Sequence, residues 1–185
     1  MKLKTLAFAV ATLSFAASIN TASAVDGTIN FTGTITANGC TVNSIAGTGS
    51  TTGSVDFGQV NGTTLASAGD ATVGTPFSIE LTDCAGSSRA NIAFNGDAVA
   101  TDNFTNLFES GATDDDGNST GVGIRIADAS TGSVYTPGTS AANAGFTDLS
   151  SGSATGNFNA YLVAYETGDK SGDVDANVTF TIAYQ

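Results

Sequence analysis

Few side chains in this 185-residue sequence can do chemistry, and their types narrow what that chemistry could be. There is no histidine, so neither a Ser-His-Asp nor a Cys-His arrangement can be built. Glu80, Glu109 and Glu166 are candidates for the paired carboxylates of glycoside hydrolysis. Nothing in their spacing brings any two together, and solvated acids are the plainer reading. The run Asp114-Asp115-Asp116-Gly117-Asn118 hints at a calcium loop. Its glycine is out of register and no glutamate closes the loop, so an acidic turn is expected instead. The two cysteines, Cys40 and Cys84, cannot fill a tetrahedral metal shell alone. Tyr135, Tyr161 and Tyr165 could stack on a sugar in a chain without tryptophan. The sequence therefore predicts no enzyme, no cofactor and no metal site.

What remains is binding or structure, and the start of the chain says where. Residues 1–24 carry Lys2 and Lys4, an apolar stretch over 6–17, and Ala22-Ser23-Ala24. That three-part pattern is a secretory signal peptide, with cleavage expected after Ala24. The apolar run is short for a membrane span and no basic stop signal follows it. Cleavage leaves 161 residues, a length that suits one domain. They hold three cations (Arg89, Arg125, Lys170) against 17 acids, a net charge of −14. Such a surface repels phosphate backbones and anionic lipid, so neither nucleic acid nor a membrane surface is an expected partner. An even cysteine count in an exported chain argues for one disulfide, here closing a separation of 44 residues. Chain entropy gives such a link about 4 kcal/mol.

The elements are strands. Apolar residues alternate along 172–185, at Val174, Ala176, Val178, Phe180, Ile182 and Tyr184, with mostly polar residues between. A period of two means one buried and one wet face of a single extended strand. It is the last stretch of the chain, so no later segment is expected to cover its edge, and an open edge beside an apolar face invites another strand. Residues 25–36 alternate as cleanly, with Ile29, Phe31, Gly33 and Ile35 on one face and threonine or asparagine on the other. Gly33 interrupts the apolar row: either a bulge, or a place where another surface approaches too closely for a side chain. Further short runs at 55–60, 77–83, 90–95, 122–127 and 158–165 are bounded by turn residues, which predicts a β-sandwich or barrel. A helix is only weakly suggested near 101–108, and 98–120 and 136–155 are expected to be surface loops.

Taken together, these stretches resemble the chaperone–usher pilins, subunits of type 1-like fimbriae. The resemblance rests on the signal peptide, Gly33, Asn38-Gly39-Cys40 and the runs at 55–60 and 121–126. It rests also on the 76–84 run ending in Cys84, on 158–161, and on the terminal pattern from Gly172 to the penultimate Tyr184. It implies an all-β fold, an incomplete immunoglobulin-like sandwich of six strands lacking the last and completed by a donor strand from another subunit. It implies a donor extension at 25–37 bearing Ile29, Phe31, Gly33 and Ile35, and a pilin domain at 38–185. The acceptor strand would run through Gly172, Val174, Ala176, Val178, Phe180, Ile182 and Tyr184. The implied partners are a periplasmic chaperone, an outer-membrane usher and neighbouring pilins, with a host or surface receptor reached through the assembled fimbria. The expected location is an extracellular fimbrium reached through the periplasm. A minor adaptor or a carbohydrate-binding adhesin is the alternative role, although this chain keeps the extension and has the length of one domain.

Overall fold

The computed structural model describes residues 39–86, 89–114, 116–140, 145–146 and 148–185, so the expected signal peptide and donor extension lie outside the described residues. Seven antiparallel strands are present among them: β1 (Gly39–Ile45), β2 (Thr75–Ala85), β3 (Ala90–Asn95), β4 (Phe108–Glu109), β5 (Val122–Asp128), β6 (Ala154–Ala164) and β7 (Thr179–Tyr184). They form a five-stranded sheet, ordered β1-β2-β6-β5-β4, and a two-stranded sheet, β3-β7. With β1, β2, β6 and β5 as strands A, B, E and D, and β3 and β7 as C and F, this is the strand order of an immunoglobulin sandwich. Strand G of that fold would lie beside F; none of the described residues forms it. Only the two-residue β4 goes beyond the six strands expected.

The core lies between the sheets. Ile79, Leu81, Ile126, Phe158 and Leu162 come from the large sheet, and Ile92 and Phe94 from the small one. The Phe94 ring meets Tyr135 and Phe158 edge-on, with centroids 5.0 and 5.3 Å away. Such contacts contribute about 0.5–1.5 kcal/mol beyond the area they bury. A disulfide joins Cys40 of β1 to Cys84 of β2.

Three expectations change. Residues 55–60 join no ladder, because Gly58 turns left-handed (φ +64°) and its N–H bonds back to Asp56, breaking the extended path; Phe57 and Val60 still pack on the core. No helix forms near 101–108, where turns bond Phe104 to Thr101 and Leu107 to Phe104, and the described helix is one 3-10 turn at Gly62–Leu65. Nor are 98–120 and 136–155 simply surface loops. Val99, Leu107, Phe108, Phe146 and Leu149 are buried in them, drawn in by isolated bridges such as Ala98 to Phe108 and Ala90 to Phe146.

Candidate functional site

Strand β7 carries a contrast between neighbours. It pairs with β3 in a regular register that sets Ile182 opposite Ile92 and Phe180 opposite Phe94. Ile92 and Phe94 are sealed, at 0% and 3% exposure, yet Phe180, Ile182 and Tyr184 are only half-buried. Adjacent strands of one sheet, facing one core, should be covered alike. The difference lies along the edge of β7 that no ladder occupies among the described residues. Upstream, Val174, Ala176 and Val178 are likewise half-buried against the core. The single strand expected over 172–185 is therefore a ladder only at Thr179–Tyr184, preceded by residues in no ladder whose burial still alternates.

The groove beside this edge has identifiable ends. At one, the Tyr184 hydroxyl donates to the Cys40 carbonyl at 3.1 Å, and Gln185 and Arg89 exchange backbone hydrogen bonds. At the other, a cavity of about 120 Å³ is lined by Val60, Leu65, Val122, Leu162 and Val174. Gly172 sits at its rim with φ +115°, and a Cβ there would overlap the Thr113 carbonyl oxygen. A side chain at this position would meet both backbone strain and a collision. The arrangement offers an apolar floor, a strand edge that no ladder occupies among the described residues, and a hole of side-chain size.

The candidates for chemistry fall elsewhere. Glu80 and Glu109 stand on β2 and β4, and Glu166 follows β6. The Asp114 carboxylate accepts hydrogen bonds from Asn118 and from the Asp116 N–H, which hold it below the usual carboxylate range and make it the centre of its own turn; Asp115 lies outside the described residues. Tyr135, a candidate sugar platform, is fully buried, so it cannot serve as one. Tyr161 lies 4.7 Å beneath the Arg125 guanidinium, and the Tyr165 hydroxyl bonds Ser119. The donor residues Ile29, Phe31, Gly33 and Ile35 lie outside the described residues. Unremarked in the sequence is Asp128, which closes a loop: its carboxylate accepts from the N–H groups of Ser130, Thr131 and Gly145. An aspartate two or three residues before Ser and Thr was the only available sign of it.

The model of the fimbrial protein family matches residues 29–185. The chain is 35% identical over 192 residues to the S-fimbrial protein subunit SfaA of Escherichia coli O6:K15:H31, covering all of both chains. It is 33% identical over 194 residues to the type-1 fimbrial protein A chain of Escherichia coli K12, again over the whole of both. Its fold is similar to that of a chain from the structure of a chaperone–usher pilus, with TM-score 0.60 and 21% identity over 86% of this chain and 95% of that one. On the family match and these full-length relatives, the chain belongs to the fimbrial protein family.

Proposed function

We propose that this chain is a structural shaft subunit of a chaperone–usher fimbria, whose β7 edge receives a strand from outside the domain. The half-burial of Phe180, Ile182 and Tyr184 beside sealed Ile92 and Phe94 carries the reading. Chaperone–pilin pairing is itself the standard example of strand addition, so only the residues, not the mode, are new for this chain. A periplasmic chaperone covers the groove first. At the outer-membrane usher, residues 25–37 of the next copy replace it, with Ile29, Phe31 and Ile35 facing the floor and Gly33 at a point of close approach. Burying each large apolar side chain contributes about 1.5–3 kcal/mol. The inserted backbone also pairs the open N–H and C=O row of β7, which water otherwise satisfies. Release re-exposes the whole apolar groove, so durability lies in slow dissociation.

The test is deletion of residues 25–36 in cells carrying the fimbrial locus. The truncated subunit should accumulate with its chaperone and cap growing filaments, leaving few and short fimbriae by electron microscopy. Filaments of ordinary length built from the truncated chain would contradict the donor role.

A further inference from the structure

Between β4 and β5 the chain makes a close approach that neither a donor nor an acceptor role explains. Residues 110–113 run antiparallel to 173–175: Thr113 bridges Asp173, and the Asp175 N–H donates to the Ser110 carbonyl at 3.1 Å. The two backbones touch through reciprocal glycines. A Cβ on Gly172 would overlap the Thr113 carbonyl oxygen, and a Cβ on Gly111, at φ +64°, would overlap that of Asp175. The 110–113 segment is itself anchored. Ser110 is 1% exposed, and its hydroxyl donates to the Val122 carbonyl and accepts from the Ala112 N–H. Asp175 and Gln185 are an even number of residues apart, so their N–H groups point to the same edge of the extended chain. That is the edge β3 holds through Arg89, and among the described residues no strand pairs with the opposite edge.

We propose that Gly111 is a positioning residue for strand uptake, setting the wall of the acceptor groove from outside both strands that meet there. The cavity at the end of the groove links clamp to site. Ala112, Gly172, Val174 and Val60 all line it. Residues 172–178 form no ladder of their own; their place beside Val60 rests on the core packing of Val174, Ala176 and Val178, on the close approach of Gly62 to Lys170, and on the grip of 110–113. A methyl group at Gly111 pushes Asp175 away, shifts Val174, and changes the hole that an incoming side chain fills. The inference rests on the strand-insertion reading.

The experiment uses the oxidised mature chain refolded with a labelled peptide of residues 25–36, and reads peptide release after dilution into unlabelled peptide. Gly111→Ala should release the peptide at least tenfold faster than the wild type. Gly117→Ala should match the wild type, because Gly117 has a similar left-handed backbone (φ +82°) and no neighbour within 4 Å of an added Cβ. A wild-type chain that takes up no peptide overturns the insertion reading and the inference with it. Uptake by the wild type with unchanged release from Gly111→Ala overturns the inference alone. If Gly111→Ala does not fold, hydrogen exchange at the Asp175 amide of the wild-type chain decides. Protection both with and without peptide supports a preformed clamp, and rapid exchange without peptide overturns it.

Discussion

Asp128 shows how much one buried carboxylate can hold. It is 5% exposed and ties the turn after β5 to Gly145 through four hydrogen bonds. Burial pushes its pKa up, but the bonds from Thr131, Gly145 and Ser130 outweigh burial and leave the group below the ordinary carboxylate range. A depressed folded-state pKa contributes stability that is present above the unfolded value, about 4, and is lost as pH falls through the folded value. Tyr135 acts at the other end of the scale. Burial, then the Asp128 charge, raise its pKa, so above about pH 10 the unfolded chain gives up a proton that the folded one keeps, and stability falls there too. Asp128→Asn should lose about 1–3 kcal/mol at pH 7, from weakened bonds to buried donors, and the deficit should shrink below pH 4. Thermal melts of both proteins between pH 2 and 7 check this, and a deficit that does not change with pH would mean the charge contributes nothing.

At the scale of elements, the disulfide and the strand edge deserve separate tests. Cys40 and Cys84 join the sheet's outermost strand to its neighbour. Replacing both by serine should lower unfolding free energy by about 2–5 kcal/mol, measured by urea titration of the peptide-filled domain. An unchanged midpoint would show that packing around Tyr184 and Cys40 suffices. Strand identity was largely legible in the sequence because it follows from alternation and flanking turns. The run at 90–95 is β3 to the residue, and 77–83, 122–127 and most of 158–165 fall within β2, β5 and β6. The buried residues missed in the expected loops share a cause. Val99, between two alanines, and the pair Leu107-Phe108 are short apolar islands without a period, and become core only because distant strands bring them together. At the site, the alternation over 174–184 was readable. Gly111 and Ser110 were not, since the backbone they grip, at Asp175, lies more than sixty residues away in sequence.

For the whole molecule, charge is the dominant property. The chain carries 17 acids against five cations, so a filament of such subunits is a polyanion along its length. Repulsion keeps neighbouring filaments apart, while the groove contacts proposed above, mainly apolar and backbone, do not depend on charge. Assembled fimbriae should therefore stay dispersed at neutral pH and bundle as pH falls towards about 4, where carboxylates protonate. Light scattering during acid titration checks this, with added salt expected to move bundling to higher pH. Dispersion that ignored both pH and salt would show that something other than charge keeps the filaments apart.

The position of Cys40 has a mechanical consequence. It is the second residue of β1, directly downstream of the segment proposed to plug into a neighbour. A pull along the filament enters this domain at Gly39 and meets a covalent link one residue later. Through sulfur it passes to β2, whose other edge pairs with β6 deep in the larger sheet. The outermost strand then cannot be unzipped one hydrogen bond at a time from its loaded end. The load falls as shear on the interior of the domain, and each subunit is moored by a bond far stronger than the contacts that join it to the next.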